Sequence, residues 1–382
     1  MRINILGGVK TMRIDRYLSA TEVPFHIWDD LAPKGKVEIE SGHLKAIETS
    51  GVNSIKPYYF IGYWEEQPVA IAYCFVIDVD LSKLGDEIAP DVLVTLKTWY
   101  PKFMNYRMLE CGLISGLGTA IVAKNNYLPY FLEELNGEFE KIAREEQAEI
   151  CLIRDIPYQS YHSFEMLRSK GYQAVPGFPA ARMELPWRSF EEYLNCLQSD
   201  KRHNIKHKMK QLADPEISVR VIQDFGPYAA RLAELWEQVN NRQIEYEHEH
   251  LTPAYFEAIN RELPHRSHIV AIFKNNAIIA FTLCFEGDEE YFWAYIGMDY
   301  QYRDTYSLYF NLIFQCIKTA LEHGKKSINM GITTYDFKSF VGCEFSPQVY
   351  FVRHLAKPEL TIALQSMLKT GIIQPEHHHH CF

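Results

Sequence analysis

The sequence lacks the features of a membrane protein or of a disulfide-stabilised secreted scaffold. Among its 382 residues, no apolar run approaches the about 18 residues of a transmembrane helix. The apolar run near the N-terminus is too short for a signal peptide. Eight cysteines are scattered without a Cys-x-x-Cys pair, which in a chain of this length indicates reduced thiols. We therefore expect a soluble, cytoplasmic protein.

Signatures of several common enzyme classes are also missing. The chain contains no Gly-x-Ser-x-Gly nucleophile elbow and no Gly-x-x-x-x-Gly-Lys-Ser/Thr phosphate loop. The acidic run at 245–250 contains two histidines, but they are two residues apart and diverge on a helix. We expect neither a metal site nor hydrolase chemistry of the elbow type.

Positive charge is not in excess. The chain has 39 basic and 49 acidic residues, which gives a formal net charge of -10. This balance argues against a protein that coats nucleic acid by bulk charge, but it leaves room for a local basic groove. A hydrophobic content of 47% in a chain of this length indicates a folded protein of about two domains.

Two strand–turn–strand patterns occur, one in each half of the chain. The first covers residues 58–77, with a turn at 65–68, and the second covers residues 268–285, with a turn at 274–276. Each hairpin is followed by more strand, by a long helix (127–148 and 306–323) and by a further strand. We interpret this order as one fold used twice. The predicted class is α/β (α+β), with two tandem domains, each a mixed, mostly antiparallel sheet flanked by helices.

The order of these patterns also suggests domain boundaries. We expect an N-terminal domain over 12–186 and an inter-domain region with a basic helix over 187–226. A C-terminal domain over 227–360 and a tail over 361–382 follow.

Three segments in the second half carry a family resemblance. The segments are 185–197 with 201–210, then 291–299, then Asn-Met-Gly-Ile-Thr-Thr-Tyr-Asp-Phe-Lys at 329–338 with its continuation to 342. In this order they resemble the C-terminal acetyltransferase-like domain of FemAB-like proteins, and residues 44–51 with the hairpin after them resemble the related bacterial family of peptidoglycan biosynthesis or recognition. The likeness spans roughly residues 40–350.

The resemblance implies tandem acetyltransferase-like (GNAT) folds with one working cleft. Family members move an acetyl, acyl or aminoacyl group onto an amine, from a CoA thioester, a carrier-protein thioester or an aminoacyl-tRNA. Three hypotheses follow: an N-acyltransferase that uses an acyl-CoA or another acyl thioester as co-substrate and a small-molecule amine as acceptor; an aminoacyl-tRNA-dependent transferase of peptidoglycan or natural-product biosynthesis; and a GNAT-shaped binding protein without transferase activity.

The resemblance also suggests catalytic residues. It places Lys338 near the cleft, where an ammonium group stabilises the oxyanion that forms on the attacked carbonyl. Asp336 is a candidate base for the amine, and Tyr335 is a candidate acid for the leaving thiolate. The alternatives are a surface Lys–Asp pair and a core tyrosine.

Substrate-binding candidates come from the basic helix and the third strand of the second unit. Arg202 and Lys206 are four residues apart on one helix face, where they suit phosphates of CoA, of a carrier arm or of tRNA. The alternative is a solvated helix face. Trp293 and Tyr295 alternate on a strand that lines the acceptor cleft in the family, and the alternative is core packing.

The turn after that strand departs from the family pattern. Gln301 and Arg303 stand where GNAT proteins bind pyrophosphate, but the glycines of that turn are missing and Tyr306 is expected to crowd a phosphate. A second glycine-rich stretch at 112–118 keeps a donor site in the first domain open.

Overall fold

The chain forms two sheets with helices packed against them. The computed structural model describes residues 11–83, 90–242 and 249–371. The strands are β1 (Met12–Tyr17), β2 (Lys56–Trp64), β3 (Gln67–Asp80), β4 (Asn105–Cys111), β5 (Ile121–Ala123), β6 (Ile150–Pro157), β7 (Gln173–Pro176), β8 (Ala180–Glu184), β9 (Ile217–Ile222), β10 (Ser267–Lys274), β11 (Ala277–Glu286), β12 (Glu290–Met298), β13 (Ser327–Asn329), β14 (Glu344–Ser346) and β15 (Gln348–His354).

Helices join and cover these strands. The helices are α1 (Phe25–Leu31), α2 (Ser41–Ser50), α3 (Pro90–Trp99), α4 (Leu128–Glu146), α5 (Tyr161–Phe164), α6 (Phe190–Cys196), α7 (Ser199–Lys210), α8 (Ala229–Asn240), α9 (Pro253–Glu262), α10 (Leu308–Glu322), α11 (Tyr335–Val341) and α12 (Thr361–Gly371). Among those in the described part of the chain, none combines the length and the apolar character needed to cross a bilayer.

Both predicted hairpins are present. In the β2–β3 hairpin, Glu65 and Glu66 both have positive φ, 47° and 64°, and Trp64 pairs with Gln67. Two consecutive positive φ values are typical of a two-residue type I′ turn, whose twist matches that of the flanking strands. The β10–β11 hairpin closes with Lys274 paired to Ala277. The apolar strand patterns and the polar turns therefore specify these units locally.

The two sheets have similar mixed topologies. The first, eight-stranded sheet has the order β1-β2-β3-β4-β6-β15-β7, with β5 paired to β3. The second, seven-stranded sheet has the order β14-β8-β13-β12-β11-β10-β9. Antiparallel pairs dominate, and β4–β6 and β12–β13 are parallel. The predicted fold class is confirmed.

The topology corrects the predicted domain boundaries, because the two units exchange strands. The strand β8 lies before the expected boundary at residue 186, but it pairs with β13 and β14 in the second sheet. The strand β15 lies in the expected C-terminal domain, but it pairs with β6 and β7 in the first sheet. The expected inter-domain region 187–226 contains α6, α7 and β9, and β9 is an edge strand of the second sheet. Residues 361–371 of the expected tail form α12, which buries Leu364 and Leu368.

Candidate functional site

A cleft opens in the second sheet where two parallel strands separate. The pairing of β12 with β13 ends at Phe292 and Asn329, and beyond this point a cavity of about 170 Å³ lies between the diverging chains. Its walls also include residues of the first unit. The lining residues are Ser115, Gly116, Leu117, Arg154, Trp236, Glu249, Phe292, Trp293, Ala294, Tyr295, Ile296, Tyr309, Met330, Gly331, Ile332, Thr333, Thr334 and Lys338.

Lys338 reaches this cavity from α11. Its side chain is 3% exposed, and its Nζ donates a hydrogen bond to the carbonyl oxygen of Ile332 at 2.5 Å. The same nitrogen lies 5.9 Å from the ring centroid of Trp293. A buried ammonium beside a polar cavity is suited to stabilise negative charge that develops on a bound group, because little water screens it.

Trp293 and Tyr295 both line the cavity, although they do not share one packing environment. The β11–β12 register shifts between Leu283 and Cys284, so Ala294 is an extra residue on β12. Such a bulge breaks the strict alternation of side chains. Tyr295 packs edge-on against Tyr255, whereas Trp293 belongs to the core under α10. The indole Nε1 of Trp293 is buried and has no hydrogen-bond partner among the described residues.

A buried ion cluster of the first unit forms the opposite wall. Arg154 on β6 donates to the carboxylates of Glu110 and Asp155 and to the carbonyl oxygen of Leu113. All three charged side chains are at most 6% exposed. This cluster holds the start of the 112–118 loop against the cavity. Sequence reasoning missed Arg154, because it lies in an apolar strand with no motif around it.

The glycine-rich loop at 112–118 does not precede a helix. It runs from β4 to β5 and packs closely at two glycines. A Cβ on Gly112 would lie 2.6 Å from Nε of Arg154, and one on Gly116 would lie 2.7 Å from the Cβ of Glu38. The glycines therefore allow close packing, and the hypothesis of a donor phosphate loop at a helix N-terminus does not apply here.

Glu249 contributes a carboxylate to the cavity. Its Oε1 accepts a hydrogen bond from the hydroxyl of Tyr295 at 3.0 Å. The acidic run at 245–250 contains this residue, but the run itself carries no sequence signal for a base. Residues 243–248 lie outside the described residues.

A second, larger cavity continues from the first. It has a volume of about 540 Å³ and shares Ile296, Tyr309 and Thr334 with the first cavity. Three cationic side chains and several aromatic rings line it, so the cavity is suited to a long ligand with phosphate groups. The lining residues are Lys208, Val239, Arg242, Ile296, Met298, Tyr300, Arg303, Asp304, Ser307, Tyr309, Phe310 and Thr334.

On the basic helix α7, the cation that lies at the cleft is Lys208 and not the expected Arg202 or Lys206. Lys208 Nζ lies 3.7 Å from the ring centroid of Phe310 and lines the larger cavity. Arg202 instead donates to carbonyl oxygens of the preceding turn, and Lys206 pairs with Glu191 on the surface. The expected face with Arg202 and Lys206 is therefore not the face that meets the cavity.

Asn311 explains why α7 is held in this orientation. Its side-chain amide is buried and donates both to the carbonyl oxygen of Lys208 at 3.0 Å and to that of Tyr306 at 2.8 Å. One residue of α10 thereby joins the end of α7 to the turn that precedes α10.

The turn before α10 contacts the cavity through side chains. Arg303 lines the cavity, whereas Gln301 is exposed and is not among the lining residues. Tyr306 is not among the lining residues, and its hydroxyl donates to Asp214 and accepts from Lys274. The amide of Leu308 donates to the carbonyl oxygen of Arg303 at 2.9 Å, so the turn itself uses one of the first helix amides.

Strained backbone surrounds the two cavities. Thr333 and Thr334 have φ of 63° and 50°, and Ser307 has φ of 43°. Left-handed backbone is costly for residues other than glycine, above all for β-branched ones. All three residues line a cavity, and such strain concentrates at functional sites.

Two of the proposed catalytic residues lie outside the cleft. Tyr335 is buried, and its hydroxyl donates to the carbonyl oxygen of Pro179 at 3.0 Å. Asp336 is exposed and does not line either cavity. Of Tyr335, Asp336 and Lys338, only Lys338 lines the cavity. The structure therefore does not bring Tyr335 and Asp336 to the cavity that Lys338 lines.

Comparisons with known proteins agree with this architecture. A protein of Mycobacterium tuberculosis described as putative 8-amino-7-oxononanoate synthase 2 is 30% identical over 340 residues. The match covers 87% of this chain and 44% of that protein, so the chain spans less than half the length of this relative.

Solved structures share the fold at low sequence identity. The crystal structure of FemX is similar with a TM-score of 0.58 and 11% identity, over 91% of this chain and 99% of FemX. A tandem GNAT protein from the clavulanic acid biosynthesis pathway has a TM-score of 0.54 and 10% identity, over 90% of this chain and 98% of that chain. The predicted tandem GNAT fold is confirmed. Residues 19–371 match the FemAB-like family, described as peptidoglycan biosynthesis/recognition, and the chain belongs to that family.

Proposed function

We propose that this protein is an N-acyltransferase that moves an acyl or aminoacyl group from a thioester to an amine. The observation that carries the proposal is the pair of adjoining cavities along β12, which share Ile296, Tyr309 and Thr334. Cationic side chains line one cavity, and the buried Lys338 lines the other. Membership of the FemAB-like family supports the same chemistry.

The larger cavity suits the phosphate-bearing part of the donor. Lys208, Arg242 and Arg303 supply positive charge, and Asp304 is the acidic residue among the lining. The donor arm then extends along the edge of β12 toward Trp293, where the strand no longer pairs with β13. An extended arm with amide groups can hydrogen-bond to such a strand edge as another strand does.

In the smaller cavity, the amine nitrogen attacks the carbonyl carbon of the thioester. A C–N bond forms, the carbonyl becomes a tetrahedral oxyanion, and collapse of that intermediate breaks the C–S bond and releases the thiolate. Lys338 stabilises the oxyanion. The Glu249 carboxylate accepts the proton that the amine loses, and the thiolate takes a proton from solvent. No covalent enzyme intermediate is required, because positioning and charge stabilisation supply the rate enhancement.

Thermal melting with candidate donors tests the donor class. We expect CoA, acetyl-CoA or a longer acyl-CoA to raise the melting temperature by a few degrees, since a ligand at 100 times its Kd adds about 2.7 kcal/mol. Absence of a shift with every CoA compound would direct the proposal to carrier-protein thioesters or to aminoacyl-tRNA. Steeply salt-dependent tRNA binding would support the latter.

Release of free thiol in the presence of an amine tests the role of Lys338. We expect Lys338→Met to lower kcat by about 10²–10³-fold, the usual effect of removing one oxyanion donor. Lys326→Met is the matched control, because Lys326 is 70% exposed and pairs with Glu289 at the surface. Equal rates for the Lys338 variant and the wild type would contradict the proposed mechanism.

A further inference from the structure

A third cavity lies between the two sheets, beside the cleft. It has a volume of about 420 Å³ and shares Leu117 with the cavity that contains Lys338. Both units contribute to its walls. The lining residues are Pro33, Lys36, Glu38, Ile39, Leu113, Leu117, Gly118, Thr119, Pro157, Gln159, Ala180, Arg182, Glu290, Asn329, Ser346 and Gln348.

Glu38 is the unusual member of this wall. It lies in a short 3₁₀ turn, Val37–Ile39, and is 4% exposed. Its Oε1 is buried and has no hydrogen-bond partner among the described residues. Burying a carboxyl oxygen without a partner is costly, so such a group is kept only where something else compensates it.

The positive charges of the cavity already have carboxylate partners. Glu290 on β12 forms ion pairs with Lys36 and with Arg182, and Arg182 also pairs with Glu184. Burial raises the pKa of the Glu38 carboxyl to about 7; Lys36 acts to lower that pKa, and Glu290 and Glu40 act to raise it. A further positive charge beside Glu38 would therefore stabilise its ionised carboxylate.

The 115–117 loop separates Glu38 from the cleft. Gly116 lines the cavity of Lys338 on one side, and its backbone packs against Glu38 on the other, where an added Cβ would lie 2.7 Å from the Cβ of Glu38. A cation held by Glu38 is consequently not the nitrogen that attacks the carbonyl beside Lys338. It belongs to another part of the same acceptor, or to a separate molecule.

We propose that the acceptor is a diamine-type molecule, such as a diamine or a basic amino acid, with one amine placed for acylation beside Lys338 and a second, protonated amine bound by Glu38. This inference rests on the proposed function and deepens it, because it names the class of acceptor. The cavity between the sheets takes the cationic end, and Leu117 lines both this cavity and the cleft.

Binding is tested first by melting, without any donor. At pH 8, n-butylamine and 1,4-diaminobutane should raise the melting temperature of the wild-type chain, and n-butanol should not. Glu38→Gln keeps the size of the side chain and removes its charge, so it should abolish the amine-induced shift. Glu184→Gln is the matched control, because Glu184 is 69% exposed and lies outside the lining.

The ligand-induced shift of each variant is compared with its own ligand-free melting temperature, so a change of stability in Glu38→Gln does not obscure the result. An equal shift in Glu38→Gln, no shift with either amine, or the same Glu38-dependent shift with Mg²⁺ would overturn the inference.

Transfer is tested second, with α,ω-diamines of three to six carbons and the monoamines of equal length. With the thioester donor found by melting, we expect kcat/KM for the best diamine to exceed that of its monoamine by at least about 10-fold. Glu38→Gln should remove this preference, whereas the control Glu184→Gln should keep it. Transfer without any diamine preference would overturn the acceptor assignment and leave the transferase intact. Glu38-dependent amine binding without transfer to any amine would overturn the proposed transferase and leave Glu38 as an amine-binding residue only.

Discussion

At the residue scale, two buried ionisable side chains, Glu38 and His43, flank the 112–118 loop. Burial shifts their pKa values in opposite directions. Burial raises the pKa of Glu38 to about 7. Burial lowers the pKa of His43 to about 3, and its Nε2 lies 2.6 Å from Oγ of Ser115 in a hydrogen bond. In both residues the charged form is disfavoured in the folded state, because the charge loses its hydration.

Glu38→Gln should stabilise the protein at alkaline pH. The carboxyl binds its proton more tightly in the folded state, so its contribution to stability falls as pH rises from about 4.5, the unfolded value, to about 7. We expect the variant to gain up to about 3 kcal/mol in the free energy of unfolding at pH 8, and under about 1 kcal/mol at pH 5. Urea unfolding of both proteins at the two pH values measures this. An equal difference in the free energy of unfolding between the two proteins at both pH values would contradict this, because ionisation of the buried carboxyl would then cost no stability.

His43 should lower the stability of the folded protein at acid pH, whereas Glu38 lowers it at alkaline pH. Its folded-state pKa is depressed, so its contribution to stability is present above about pH 6.5 and is lost as the pH falls toward 3. Between pH 7 and pH 5, the wild type should lose about 2 kcal/mol more than His43→Gln, which has no proton to gain. The same urea titrations test this, and parallel pH profiles for the two proteins would contradict it.

At the element scale, α7 presents only one of its faces to the larger cavity, with Lys208 in the lining and Lys206 paired to Glu191 on the surface. We expect Lys208→Ala to weaken binding of the phosphate-bearing donor about 10- to 100-fold, in line with loss of a charged hydrogen bond of about 1.5–3 kcal/mol. Lys206→Ala, on the surface face, is the control and should bind nearly as the wild type does. Isothermal titration with the donor identified by melting gives both constants. Similar losses in the two variants would indicate a diffuse electrostatic effect instead.

The 112–118 loop is an element that tolerates little added volume. Gly116→Ala places a methyl group 2.7 Å from the Cβ of Glu38, so we expect a loss of about 1–3 kcal/mol in unfolding free energy. Gly137→Ala provides the contrast: Gly137 lies in α4, and a Cβ there meets nothing within 4 Å. That variant should gain up to about 1 kcal/mol, because alanine favours a helix more than glycine does. Chemical denaturation of both variants measures these changes. An unchanged free energy of unfolding in Gly116→Ala would contradict the prediction and show that the loop moves readily.

At the scale of the whole molecule, the exchanged strands join the two units into one folding unit. The first sheet is completed by β15 from the C-terminal region, and the second by β8 from the N-terminal half. One hydrophobic cluster also contains buried residues of both sheets, among them Phe60 and Phe285. We therefore expect a single cooperative unfolding transition of the full chain.

A fragment of residues 12–186 tests this cooperativity. It lacks β15 and α12, which leaves β6 and β7 without the strand between them, and we expect it not to fold alone. Circular dichroism and melting of the fragment provide the measurement, and addition of residues 187–382 in trans is the control for reassembly. A cooperative melt of the isolated fragment would contradict the single-unit prediction.

Local patterns in the sequence were sufficient for the elements with strong periodicity. Both hairpins, α4 and α10 follow from apolar spacing and turn residues, since these preferences act between near neighbours in the chain. Strands of three residues, such as β5 and β14, are too short to show a period. The family resemblance identified Lys338 and the strand of Trp293, which both line the cleft.

What the sequence by itself determined is therefore the kind and order of the main elements and the repetition of one fold. Only the tertiary structure decided which strands changed sheets, that Lys208 rather than Lys206 faces the cleft, and that Tyr335 points into the core. It also brought Arg154 and Glu249 to one cavity and left Glu38 facing another. These outcomes depend on contacts between residues far apart in the chain, whose energies no local pattern contains.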